Sequence, residues 1–233
     1  MFGHKDMDLH PSKLGTKEHW DAVYELEVAN FNETGDEGEI WFGTHSVDKM
    51  VNWALTHVPP SDNPSVLEVG AGNGTLLFAL AEAGYDAARL VGIDYSAAAV
   101  ELARAIAASS ESGADVTFAE CDFLTADPPP PPSESEGWDL LLDKGTFDAI
   151  ALGEKDADGA SPAARYPARV ARLLKPGGRF LITSCNFTED ELRAAFATPE
   201  TNLVYHSRIQ HKTFTFGGKS GSEVSSVAFE LRA

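Results

Sequence analysis

Apolar positions change their period along this chain. From Thr16 they fall at helical spacing, with Trp20, Val23 and Tyr24 on the inner side together with Ala22 or Leu26. The turn cluster Thr34-Gly35-Asp36-Glu37-Gly38 ends that helix. After Thr44 a second helix is expected, because Val47, Met50, Val51, Ala54, Leu55 and Val58 recur along one face. Pro59-Pro60 stops it. Beyond that point short apolar runs alternate with helical stretches. The pattern predicts strands at 65–69, 90–93, 116–119, 140–142 and 180–183, and helices at 75–83 and 97–108. Such alternation means a parallel sheet covered on both faces. Thr188 and Glu191 make a capping box for a helix through Phe196. Residues 203–208 and 224–231 read as two further strands joined by a glycine-rich connection, a closing antiparallel hairpin.

Composition narrows the class without changing this outline. The 233 residues suffice for one well-buried core, so a single domain over 16–233 is expected, with a helical extension at 16–60, a core at 61–233 and a flexible leader at 1–15. No apolar run reaches the roughly 18 residues of a membrane span, and the first ten residues lack a signal pattern. Cys121 and Cys185 are too few for a disulfide framework and lack zinc-ligand spacing; they read as buried, reduced thiols, which places the chain in the cytoplasm. The scattered histidines give no metal site. A formal net charge of -18 disfavours a nucleic-acid partner and is compatible with a basic protein partner, or with solubility alone. Pro128 to Pro132 read as an extended, exposed run, either a stiff spacer or a docking peptide.

The strongest chemical signal is Val66-Leu67-Glu68-Val69-Gly70-Ala71-Gly72-Asn73-Gly74-Thr75. A buried strand runs into three alternate glycines, and a helix follows. Gly70, Gly72 and Gly74 allow a sharp turn and close approach of a ligand to the backbone around Asn73. A dinucleotide site wants Gly-x-Gly-x-x-Gly, and that third position here holds Thr75. Glu68 before the turn would repel a pyrophosphate but could pair with an ammonium. S-adenosylmethionine carries that ammonium, and a carboxylate for the backbone amides. Asp94 ends the second strand, where an acid hydrogen-bonds ribose hydroxyls. Alone it would read as a helix cap, but Ser96 is better placed for capping. Tyr95 would flank the adenine. Asp122 either accepts from the adenine amino group or serves as a turn residue, and Phe123 could donate a backbone amide.

The fourth strand ends in Asp143-Lys144-Gly145-Thr146-Phe147, which should face the transferred methyl group, unless Asp143 and Lys144 are a plain turn with a surface ion pair. Asp143, with backbone carbonyls around Lys144 and Gly145, is expected to orient the incoming amine. Trp41, Phe147 and Asn186 are expected to line its channel, with ordinary core the other reading for Trp41. Leu173-Leu174-Lys175-Pro176-Gly177-Gly178-Arg179-Phe180 reads as helix end, turn and strand.

Glu68-x-Gly-x-Gly-x-Gly, Asp94, Asp122 and Leu-Lys-Pro-Gly-Gly together resemble the class I, seven-stranded S-adenosylmethionine methyltransferases, over residues 60 to 233. A narrower likeness runs through Ser12-Lys13-Leu14-Gly15-Thr16-Lys17-Glu18-His19-Trp20-Asp21-x-x-Tyr24, Gly38-Glu39-Ile40-Trp41-Phe42-Gly43, Asp143 to Ile150, Leu181 to Thr188 and Phe216-Gly217-Gly218-Lys219-Ser220-Gly221. These stretches resemble the elongation factor 1-alpha lysine methyltransferases, in their small single-domain branch. The resemblance implies a Rossmann-like, seven-stranded α/β sheet and a cytosolic enzyme that methylates a lysine of translation elongation factor 1-alpha; the chain is expected to be a monomer. The proline run and the 153–161 loop depart from the family pattern, and Pro167 implies a helix before Leu173 that starts late or kinks. A small-molecule methyltransferase or a non-catalytic binding protein of the same fold is the alternative.

Overall fold

A computed structural model of the chain describes residues 9–110, 112–132, 136–212, 214–216 and 219–232. Residues 1–8 of the expected leader and Gly217-Gly218 of the last motif lie outside the described residues. Two helices come first, α1 (Lys17–Thr34) and α2 (Gly43–His57). Thr16 caps α1 by accepting from the His19 N–H, and Gly35 ends it in the left-handed conformation. Then β1 (Val66–Val69), α3 (Thr75–Glu82), β2 (Leu90–Asp94), α4 (Ala97–Ser109), β3 (Thr117–Glu120), β4 (Trp138–Lys144) and α5 (Thr146–Ala151) follow. The chain continues through α6 (Tyr166–Leu173), β5 (Leu174–Ser184), α7 (Glu189–Phe196), β6 (Leu203–Ile209), a ribbon of β7 (Phe214–Phe216) and β8 (Lys219–Gly221), and β9 (Ser225–Leu231).

Seven strands form one sheet in the order β3-β2-β1-β4-β5-β9-β6. The first five pair in parallel, and β9 runs antiparallel between β5 and β6. The expected closing pair is therefore present, and its connection carries the small β7–β8 ribbon. Strand order reverses between β1 and β4, which opens a crevice at their carboxyl ends.

Side chains alternate across the sheet and divide the core in two. Val66, Leu90, Leu140, Leu142 and Leu181 join the apolar face of α2 and α3. Leu67, Val69, Leu141, Phe180 and Ile182 meet Phe147, Tyr166 and Phe196 on the other face. A third cluster seats α1 on α4, with Trp20 and Tyr24 against Ala99, Leu102 and Ile106.

Several expectations are revised. Leu26 is 63% exposed and Ala22 is exposed, because the buried stripe of α1 runs from Trp20 and Tyr24 to Val28 and Phe31. The leader segment from Leu9 to Gly15 is packed onto the body: Ser12 N–H donates to Leu152 O at 3.0 Å, and the Trp20 indole donates to Leu14 O at 2.7 Å. Pro128 is buried, while Pro130 and Pro132 are exposed. Cys185 is exposed; Cys121 is buried. Pro167 sits in the first turn of α6, which starts late as the sequence implied. Thr188 and Glu191 form the expected reciprocal capping box.

Candidate active site

A cavity of about 240 Å³ lies at the carboxyl ends of β1, β2 and β4. Its floor is the turn after β1, with Gly70, Gly72 and Asn73 in the wall. Gly70 has φ 66 and Gly72 φ 55, a region open to glycine at little cost. A Cβ on Gly72 would also stand 2.5 Å from the Tyr24 hydroxyl, so α1 closes directly over the turn. The turn's amides are largely used inside the protein. Gly72 N–H donates to Asp94 Oδ2 at 3.1 Å, and Ala71 N–H donates to Ile93 O.

Asp94 lines the cavity from the tip of β2 and is 7% exposed. Its other oxygen accepts from Ser96 N–H at 2.9 Å. Burial pushes its pKa up to about 6, against the pull of those two N–H donors. Tyr95 and Phe123 line the same wall, and the Tyr95 hydroxyl donates to Thr16 O at 3.2 Å. Asp122 also lines it, while its carboxylate accepts from Leu124 N–H and the Thr125 hydroxyl as a turn residue does. Trp41 lines the cavity and packs edge-on against Trp20 at 4.9 Å.

Glu68, Gly74 and Ser96 stand behind the wall. Glu68 is 1% exposed, and its Oε2 has no hydrogen-bond partner. Burial raises its pKa, and the Lys144 ammonium draws it back down. Burial in turn lowers the Lys144 pKa. Gly74 packs under Phe118, and Ser96 begins α4 without a capping bond from its hydroxyl.

Asp143, Phe147 and Asn186 are not in the cavity wall, and for Asp143 the reason is strand parity. β4 continues through Lys144, two residues past the expected end. Leu141 and Asp143 face the α6 side, while Leu142 and Lys144 face the opposite side. Asp143 is fully buried and accepts from Thr146 N–H at 2.9 Å, Phe147 N–H at 3.0 Å and the Tyr166 hydroxyl at 2.5 Å. It fastens the start of α5. Burial raises its pKa to about 7, opposed chiefly by the Tyr166 hydroxyl. Phe147 is fully buried among Tyr166, Phe187 and Phe196. Asn186 is exposed, its amide held by Asp148 and Ser184. Lys144, Gly145 and Thr146 take the wall position instead, with Tyr24 and Glu39. A parity count along β4 would have found Lys144; nothing local in the sequence announces Glu39.

The site fits a nucleoside with a charged amino-acid tail. Aromatic rings and a buried acid suit the nucleoside. Glu68, whose Oε2 has no hydrogen-bond partner, sets a carboxylate just behind the turn where an ammonium would lie. Among the described residues, no group of three or more His, Cys, Asp or Glu side chains could hold a metal ion.

Comparison with known proteins agrees. The family described as "Methyltransferase domain" matches residues 60–225. Protein-lysine N-methyltransferase efm4 of Schizosaccharomyces pombe is 42% identical over 96% of each chain. EEF1A lysine methyltransferase 2 of Homo sapiens is 40% identical over 94% of this chain and 87% of its own. Among solved structures, the N-methyltransferase NodS from Bradyrhizobium japonicum, in complex with S-adenosyl-l-homocysteine, superposes with a TM-score of 0.61 at 16% identity, covering 92% of this chain and 99% of that one. That likeness shows the fold, the seven-stranded sheet of the class I methyltransferases. With its crevice, its buried acids and its near full-length relatives, the chain belongs to the methyltransferase domain family and, within it, to the protein-lysine N-methyltransferases of the efm4 and EEF1A lysine methyltransferase 2 group.

Proposed function

We propose that this enzyme transfers a methyl group from S-adenosylmethionine to a lysine side chain of translation elongation factor 1-alpha, in the cytoplasm. The observation that carries the substrate is the similarity, over 94–96% of this chain, to relatives named for that activity. The domain at 16–233, with the packed segment from Leu9 to Gly15 completing its cavity wall, acts as one catalytic unit, as a monomer, with neither nucleic acid nor membrane as partner. Among the described residues no helix is long and apolar enough to cross a membrane.

The cofactor supplies a methyl group on a positively charged sulfur. The chain's residues bind, orient and exclude water. Asp94 accepts from the ribose hydroxyls, Tyr95 and Phe123 flank the adenine, and Asp122 accepts from its amino group. Glu68 attracts the ammonium from behind the turn of Gly70, Gly72 and Asn73. Trp41 closes the acceptor side, and the carbonyls of Lys144 and Gly145 orient the amine. A methyl transfer of this kind depends on alignment and desolvation more than on a strong catalytic group.

Incubating the enzyme with elongation factor 1-alpha and labelled cofactor, followed by mass spectrometry, tests the reading. Label on one lysine-bearing peptide is expected. Label on small amines and none on the protein would sink the substrate assignment.

A further inference from the structure

A second cavity, of about 440 Å³, opens beside the first, with Phe42, His45, Ser46, Cys185 and His211 in its wall. Phe42 separates the two. Its ring lines the second cavity and stands 3.1 Å from where a Cβ on Gly145 would be, and Gly145 lines the first. Hydrogen bonds through Thr183 and Ser226 link the walls of the two cavities. Gly145 N–H donates to Thr183 O at 3.0 Å. The Thr183 and Ser226 hydroxyls are bonded at 2.7 Å, and Ser226 Oγ meets His211 Nε2 at 2.8 Å. Thr183 and Ser226 are buried at the carboxyl end of β5 and the start of β9. The cofactor residues named above use none of these bonds.

We propose that the second cavity admits the acceptor lysine and that His211 takes the proton its ammonium must lose before methylation. This rests on the lysine methyltransferase reading. The cofactor residues sit over β1, β2 and β3, which leaves the β4–β5–β9 side, where this cavity lies, open to the acceptor. A free lysine ammonium has a pKa of about 10.4 and no lone pair for attack. Burial, then Lys49 and His45, lower the pKa of His211, so its imidazole is neutral at neutral pH and can accept. Lys212 adds positive charge at the wall and Glu223 negative charge. The Cys185 thiol, raised to about 11 by burial and Asp148, stays protonated and is no rival base. In the tautomer that donates Nε2–H to Ser226, Nδ1 is the acceptor.

The step balances. An N–H bond of the ammonium breaks and its proton goes to Nδ1. The freed electron pair forms the N–CH3 bond while the S–CH3 bond breaks and its pair stays on sulfur. The proton leaves His211 for solvent between turnovers. For free lysine this transfer is uphill; the sulfonium charge and a dry pocket depress the amine's pKa and narrow the gap.

His211→Gln should lower the single-turnover rate on elongation factor 1-alpha by about 100-fold at neutral pH, and the deficit should shrink to a few-fold near pH 10, where lysine sheds its proton unaided. Cofactor affinity by calorimetry should be unchanged. Imidazole NMR of the wild-type protein should find His211 titrating below about 6.5. A rate ratio that is flat across pH, whatever its size, or a His211 charged at neutral pH, would overturn the proposal. A wild-type enzyme that transfers nothing to elongation factor 1-alpha removes it together with the substrate reading; transfer with a flat ratio removes it alone.

Discussion

Asp94 and Asp143 are both buried acids at strand tips, and their surroundings give them different tasks. Asp94 borders the cavity with lone pairs to spare after two N–H bonds. Its replacement by Asn should weaken cofactor binding by about 1.5–3 kcal/mol, measured by calorimetry. Its pKa of about 6 adds a pH signature. Ribose hydroxyls favour the ionised form, so wild-type affinity should fall as pH drops below that value, and Asp94→Asn should flatten the curve. Asp143 accepts three donors on the α6 side of the sheet, outside the cavity wall. Asp143→Ala orphans them, and urea denaturation should show a loss of about 3 kcal/mol with cofactor affinity within a few-fold of wild type. Collapsed affinity at unchanged stability would return Asp143 to the substrate. The glycine turn, Asp94 and Tyr95 were legible in the sequence because the chemistry sits in one contiguous stretch. The direction of the Asp143 side chain was not legible, because it depends on where the strand stops.

At the scale of elements, alternation and capping chemistry predicted the order of strands and helices from β1 to α7 apart from α5, and β5 starts at Leu174, in what read as a helix end and turn, six residues before the expected strand. Periodicity placed α1 but not its phase. Trp20 and Tyr24 define the buried stripe, and Leu26 lies off it. Trp20→Ala should cost about 3–5 kcal/mol and Leu26→Glu less than about 0.5 kcal/mol in the same denaturation experiment. The α7 capping box makes a smaller, separable contribution: Thr188→Ala should cost about 1 kcal/mol. The β7–β8 ribbon and the wall position of Glu39 could not be read locally, since both depend on which distant segments meet.

Across the whole molecule, two effects of pH act in the same direction. A net charge of -18 repels itself at neutral pH and less so near the sequence pI of about 4.6. The folded pKa values of Asp94 and Asp143 lie above their unfolded values near 3.8, so the folded state holds more protons between about pH 4 and 7. Their contribution to stability therefore declines as pH rises through that window. The cofactor-free protein should melt at higher temperature at about pH 5.5 than at 7.5, and added salt should raise the melting point most at the higher pH. Scanning calorimetry reads both.

The packed leader has a practical side. Gly15 is part of the cavity wall, and the Ser12 amide and Leu14 carbonyl are tied to Leu152 and Trp20. An affinity tag cleaved to leave residue 16 first would strip one edge of the pocket while sparing the sheet. Such a preparation should look folded by circular dichroism and bind cofactor poorly, which argues for fusing any tag at the other terminus.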